Sequence, residues 1–455
     1  MKFTFIADLH YYSPTLGTAG SAYEMRSGSD QKCLAETGAI IDAAFEKIAN
    51  SDTDAVMIAG DVTNDGETAS HNELREKLYR LKEKKPVYLV TATHDWCCDG
   101  NPRRFSGAEV SNNVETLPPQ KLSEFYFDFG LSQAIAKYET HLGIFSYVVQ
   151  LSENVRLLAL CDDQNGKGRA GYTEEHFQWI ERQIKLAADD NCLMIGMQHH
   201  LLIPHINSLL TGGCCVGDRE ETAARLADAG LKYMFVGHSH IQRTDEFKSP
   251  SGNVLTEVNI GSLCGYPAPI VEVTVQDDMR LKVDVEHLKT FEWQGHSVNA
   301  ENYLKRHACR MIERVLECGS ADDFEARMTA LQANGRKLRP LYPLIKPVMN
   351  IIKDGSVEEL YKKMRLLGLA HFLDKGAVKA CRGYRVLDII EDVMLGALDG
   401  SATKYSRSSD FYRLVMSFVS IPSKILKNNF DMKKLIFAVD EILTGGRIDN
   451  QHAVL

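Results

Sequence analysis

Five short acidic and histidine motifs are spread over the first 240 residues, and each directly follows an apolar run with the length of a strand. They are Asp8-Leu9-His10 after residues 3–7, Gly60-Asp61 after Ala55–Ala59, Thr93-His94-Asp95 after 87–91, His199-His200 after 192–198, and Gly237-His238-Ser239-His240 after Tyr233–Val236. All five sit at carboxyl ends of expected strands, where open α/β sheets place their ligand crevice. Singly, an Asp-x-His or a Gly-Asp is an ordinary turn. Five in succession, each behind a strand, point to one assembled site.

The residue types say what that site takes. An i, i+2 pair just beyond a strand can turn both side chains toward one crevice, which suits Asp8 with His10 and His238 with His240. Imidazole and carboxylate together favour Mn, Fe, Zn, Co or Ni over Ca. Asp61, a carboxylate flanked by ligands of both kinds, can bridge two ions about 3.5 to 4 Å apart, and such a pair serves in-line phosphoryl displacement.

Around the motifs the chain alternates β-rich and helical patterns, the mark of a sheet covered by helices. Further strands are expected at 144–150, 155–161, 255–260, 270–275 and 281–285, and helices near 31–49, 71–83, 173–188 and 220–229. Thr173 before Glu174 and Glu175 is a helix start, since its hydroxyl accepts an orphan amide and the acids oppose the dipole. Residues 97–119, rich in Gly, Pro, Asn and Ser, read as a long loop of the functional kind. Beyond about Phe291 the strand signals end, and helix formers follow with breaks at Gly335, Pro340, Pro347, Gly355 and Pro422. Two domains are therefore expected: 1–290 carrying the site, and 291–455, all helical.

A chain of 455 residues exceeds one ordinary core. Its 44% apolar and 25% charged residues are a globular composition. The first residues read as a strand rather than an export signal, and no run of about 18 uncharged apolar residues suggests a membrane span. Eleven irregularly spaced cysteines do not form a disulfide framework, so a reducing cytoplasm is the expected location. The net charge of −9 is uneven: residues 1–300 hold 27 Lys and Arg against 42 Asp and Glu, whereas 301–455 hold 25 against 19. An acidic first part suits metal ligands and is a poor general nucleic-acid surface.

In their order, Asp-x-His, Gly-Asp, x-His-Asp, His and Gly-His-x-His, the motifs resemble the calcineurin-like metallophosphoesterase superfamily over residues 1 to about 265. The resemblance implies an α/β (α+β) four-layer β-sandwich flanked by helices, and a centre of two divalent metal ions, with manganese first among Mn, Fe, Zn, Ni and Co. By position, Asp8, His10 and His240 hold one ion, Asp61 bridges, and His199 and His238 hold the other. A metal-bound hydroxide attacks phosphorus, His94 stabilises the transition state or protonates the leaving oxygen, and Asp95 orients His94. The chain departs from the pattern at Thr93, where the family carries an Asn ligand. A hydroxyl is the weaker donor, so the second ion is expected to bind more loosely.

Phosphomonoester or phosphodiester hydrolysis on a small phosphorylated substrate is the activity this implies. The Asp-Arg-Gly continuation of protein Ser/Thr phosphatases is missing after Gly60-Asp61, which disfavours a protein substrate. The alternatives are a non-catalytic interaction protein on the same fold, supported by Thr93 alone, and a nuclease, prompted by the basic tail. His200, Arg103 and Arg104 are candidate substrate contacts, since a guanidinium bonds two phosphate oxygens in its plane. Gly166-Lys167-Gly168-Arg169-Ala170-Gly171 fits a dinucleotide fingerprint in letters but not in context, and reads as a surface loop. The helical region is a candidate for capping the site or for homo-oligomer formation.

Overall fold

The computed structural model describes residues 1–330, 335–400, 405–421, 432–445 and 448–455, which leaves Pro422 outside the described residues. Two sheets face each other. The first has six strands in the order His452–Val454, Leu281–His287, Pro269–Val275, Lys2–Ile6, Ala55–Ala59 and Val87–Val90. The second has seven: Arg243–Lys248, Val254–Asn259, Tyr233–Val236, Leu193–Met197, Val155–Ala159, Phe145–Ser152 and Ala136–Glu139. The motif-bearing strands are neighbours and run parallel, Lys2–Ile6 with Ala55–Ala59 and Val87–Val90 in one sheet, Leu193–Met197 with Tyr233–Val236 in the other. Parallel strands are covered on both faces, which is why they read as unbroken apolar runs. Ala55–Ala59 and Tyr233–Val236 are buried at every position.

Four layers result, as the resemblance implies. Between the sheets Phe3, Phe5, Met57, Tyr147, Met197 and Phe235 interdigitate, with Phe5 stacked on Phe235 at 3.9 Å between ring centres. Helices Thr37–Ala49 and Thr68–Lys82 cover the outer face of the first sheet, and Glu174–Asp189 and Arg219–Ala229 that of the second. Thr173 caps Glu174–Asp189 as expected, accepting the His176 amide at 3.3 Å. All eleven cysteines are free thiols. No helix among the described residues is long and apolar enough to cross a membrane.

Three features depart from the sequence reading. Strands continue past residue 291, as the hairpin Thr290–Trp293 and His296–Asn299 and as His452–Val454, which returns to pair beside Leu281–His287. A three-residue strand is too short to show alternation, and its partner lies far away in sequence. The loop 97–119 contains a hairpin, Arg104–Ser106 with Glu109–Ser111. Pro347 does not break its segment but lies inside Tyr342–Asp354, whose Met349 and Ile352 pack into a small helical core with Phe324 and Tyr342.

The helical region is not separate from the sandwich. Ala300, Leu304 and Ala308 of Ala300–Leu316 and Leu395 of Val386–Asp399 share one apolar cluster with Ile40, Ile41 and Phe291. A boundary at residue 290 thus runs through a common core, even though Val357, Leu373, Val378 and Leu414 form a further cluster of their own.

Candidate metal centre

The ladder between the first two motif strands runs on into their loops: Asp8 N donates to Gly60 O at 3.1 Å and His10 N to Asp61 O at 2.9 Å. There the backbone turns sharply. Asp8, His10, Asp61, His238 and His240 all lie in the left-handed region, with φ of 52°, 41°, 47°, 69° and 59°. Such residues cost about 1–3 kcal/mol each, and they cluster where function over-determines the backbone. The motif glycines are there for room. A Cβ on Gly60 would lie 2.5 Å from His199 Nδ1, and one on Gly237 2.5 Å from Asp8 Oδ2.

Two ligand groups form side by side. Asp8, His10 and His240 make one, Asp61, His199 and His238 the other, and His10, Asp61 and His94 link them; within each, the ligating atoms lie within 4.8 Å of one another. His10 Nε2 is 2.9 Å from His240 Nε2, and the two lie 3.6 and 3.4 Å from Asp8 Oδ1. His199 Nε2 is 3.0 Å from both Asp61 Oδ2 and His238 Nδ1. Asp8, His10, Asp61 and His199 are buried. Imidazole nitrogens this close repel through their lone pairs unless a cation or proton lies between them. His199 Nδ1 donates to Ala59 O at 2.8 Å and His240 Nδ1 faces the Gln31 amide at 2.5 Å, which leaves each Nε2 turned inward. This donor set fits two divalent ions sharing Asp61.

The electrostatics of the cluster agree. Burial alone would raise the Asp8 and Asp61 carboxyls. The His240 charge and the His10 hydrogen bond on Asp8, and the charges of His199 and His94 on Asp61, outweigh it and hold both well below the usual carboxylate range. Burial, reinforced by the Lys32 charge, pushes His10 down to about 3. Burial and the neighbouring His200 and His199 push His238 well below its ordinary value. His10 and His238 therefore stand neutral, the form in which imidazole ligates a metal.

His94 is half-buried; its amide donates to Asp61 Oδ1 at 3.1 Å, and its Nδ1 is held by the Asn64 carbonyl and lies 3.5 Å from Asp65 Oδ1. The expected partner, Asp95, is engaged elsewhere. Its carboxylate accepts from Thr63 N at 2.7 Å, Thr63 Oγ at 2.9 Å and Ala92 N at 2.8 Å. Thr93–Trp96 is a tight 3-10 turn, which sends adjacent side chains in different directions, so Asp95 fixes the loop behind Asp61 while Asp65 faces His94. Thr93 opens that turn, half-buried, one residue from the amide bonded to Asp61.

Of the candidate substrate contacts, only His200 is placed at the cluster, its ring 4.4 Å from that of His238. Arg103 forks onto Asp65 at 3.0–3.2 Å, so its guanidinium is already committed, and Arg104 is exposed on the hairpin. A cavity of about 690 Å³ opens beside His200 and His238, lined also by Arg169, Gly213, Cys215 and Arg219. Arg169 belongs to the glycine-rich loop whose context fits no nucleotide turn.

The sequence reading passed over Gln31, Asp65, Asp162 and Asp163. Asp162 accepts the amides of His200 at 2.7 Å and His199 at 3.4 Å, and Asp163 accepts Trp96 Nε1 at 2.7 Å. With His200 they form a further acidic group. They too follow a strand, Val155–Ala159, and the rule that singles out Asp8 and Asp61 applies to them. Gln31 carries no such signal, because its approach to His240 is long-range.

The calcineurin-like phosphoesterase family profile matches residues 1–242, just over half of the chain. No curated protein sequence matches it. Among solved structures it is similar to a dimetal phosphatase from Danio rerio (TM-score 0.41, 14% identity, covering 66% of this chain and 99% of that one). It is also similar to a purple acid phosphatase from yellow lupin (Lupinus luteus) seeds (0.39, 11%, 66% and 52%) and to a 5'-nucleotidase precursor from Thermus thermophilus (0.37, 12%, 70% and 59%). With the motifs, the facing sheets and the paired ligand groups in place, the chain belongs to the calcineurin-like phosphoesterase family of metal-dependent phosphoric ester hydrolases.

Proposed function

We propose that Asp8, His10 and His240 hold one divalent ion and His199 and His238 a second, that Asp61 bridges them and Thr93 borders the second, and that the site hydrolyses small phosphate esters. The observation that carries this reading is the position of Asp61, a buried carboxylate shared between two histidine groups. Bound there, two divalent ions supply positive charge for phosphoryl oxygens and acidify water. The chain's own residues do the rest. The Asn64 carbonyl holds His94 Nδ1, which leaves Nε2 for the oxygen of the leaving group. Asp95, Asp162 and the left-handed turns keep the ligand loops rigid, and the cavity beside His200 has the size of a small-molecule pocket.

Manganese-dependent turnover of p-nitrophenyl phosphate and bis-p-nitrophenyl phosphate tests the reading. His94→Ala should lower kcat about 10²- to 10⁴-fold at unchanged metal content. Asp61→Asn should abolish turnover and reduce the ions bound per chain. Wild-type activity persisting in both variants refutes the site. Repeating the assay with Mn, Ni, Co and Zn ranks the metals, and the ratio of the two esters separates monoesterase from diesterase.

A further inference from the structure

Asp162 and Asp163 lie just beyond the strand Val155–Ala159, 0% and 3% exposed, and His200 lies just beyond Leu193–Met197 at 6%. Those strands are parallel neighbours, so their carboxyl ends bring the three side chains together. One ligating atom from each lies within 4.8 Å of the others. The positions are held from behind. Asp162 Oδ2 accepts His200 N at 2.7 Å, Asp163 Oδ2 accepts Trp96 Nε1 at 2.7 Å, and Gly171 N donates to Asp162 O at 2.7 Å.

Two adjacent buried carboxylates call for positive charge. Among the described residues neither pairs with a lysine or an arginine. Asp163 Oδ1 and His200 Nδ1 are both buried without a hydrogen-bond partner. His200 Nδ1 lies 3.3 Å from Asp162 Oδ2, near enough to share an ion with it but not aligned for a hydrogen bond. Metal bonds of about 2.0–2.2 Å place neighbouring ligand atoms about 3–3.5 Å apart, which is this spacing. A buried carboxylate oxygen left unpaired is costly, and two carboxylates beside a free imidazole nitrogen are the donor set of a divalent cation.

We propose that Asp162, Asp163 and His200 hold a further divalent cation, distinct from the two around Asp61. Imidazole with carboxylate selects Zn, Mn, Fe or Co over Ca. Three protein ligands leave at least one position for water or an anion, and His200 lines the cavity of about 690 Å³ beside His238, through which the ion enters and exchanges. With that open side the site fills when metal is in the buffer and empties on dialysis. None of the three residues belongs to the ligand groups of Asp8 or Asp61, so the site stands or falls apart from them.

Equilibrium dialysis of the full-length protein against excess manganese or zinc, followed by elemental analysis, counts the ions in the wild type, Asp163→Asn and His200→Ala. The first variant keeps an oxygen for Trp96 Nε1 and removes the charge. Each variant should hold one ion per chain fewer than the wild type. Crystals of the wild type grown with manganese should show an anomalous scattering peak about 2.0–2.2 Å from Asp162, Asp163 and His200. An equal count in the wild type and Asp163→Asn, or no peak at that position, overturns the proposal; a proton shared by the two carboxylates predicts both results. If neither variant folds, the anomalous peak alone decides. A wild type that binds a single ion, lost in Asp163→Asn and kept in Asp61→Asn, would uphold this site and defeat the two-ion reading around Asp61.

Discussion

Thr93 and Glu67 show how single side chains tune this site and its surroundings. Thr93 stands where the family supplies an amide oxygen, and a hydroxyl is a weaker ligand. The second ion should dialyse away first, leaving close to one metal per chain, and Thr93→Asn should retain both; elemental analysis before and after dialysis decides it, and equal retention in the wild type removes the argument. Glu67 is buried, and burial together with the Asp65 charge pushes its carboxyl up to about 7. Its folded pKa lies above the unfolded value, so between about pH 4.5 and 7 the native state binds the extra proton and stability falls as pH rises. Glu67→Gln should flatten this slope and raise stability at pH 8 by up to about 3 kcal/mol, with little effect at pH 4.5. Urea melts at the two pH values measure it.

Among the elements, the strand His452–Val454 does more than its three residues suggest. It closes the edge of the first sheet by pairing with Lys282, Val283 and Asp284, and Leu455 N donates to Leu281 O at 2.8 Å. The Tyr233 hydroxyl donates to Leu455 O at 3.1 Å, which ties that edge to the strand leading into His238 and His240. Removal of residues 451–455 should cost about 2–4 kcal/mol in urea unfolding, a few hydrogen bonds at about 1 kcal/mol each, and promote association through the bared edge of Leu281–His287. Unaltered stability and dispersity after truncation would count against this role.

At the scale of the molecule, the helical region braces the loops of the candidate metal centre. Gln242 N, two residues past His240, donates to Leu398 O at 2.8 Å; Arg243 pairs with Glu441 at 2.9 Å; and the Tyr266 hydroxyl donates to Asp399 at 2.9 Å. With Ala300, Leu304 and Leu395 in the core of the first sheet's helices, the two regions should unfold together. Calorimetry should record a single transition, raised by manganese and lowered by chelation; saturation to a hundred times Kd adds about 2.7 kcal/mol per site. Two well-separated transitions would instead show independent domains.

The amino-acid sequence by itself determined the candidate ligand types, their order and their place at strand ends, because each depends only on a short apolar run and the residues just after it. It also determined that a sheet is covered by helices, through runs such as Ala55–Ala59 that are apolar enough for both faces to be covered, and the resemblance of its motifs implied the four layers. Only the tertiary structure decided who partners whom. His94 turns to Asp65 and Asn64 rather than Asp95, Arg103 is spent on Asp65, and Gln31 reaches the site from outside every motif. These depend on the direction in which a tight turn throws its side chains and on contacts between distant segments, one of them joining Gln31 to His240 across 209 positions. Local periodicity carries no record of either. For the same reason the return of His452–Val454 to the first sheet, and the core shared by helices and sandwich, emerge only when the chain is packed.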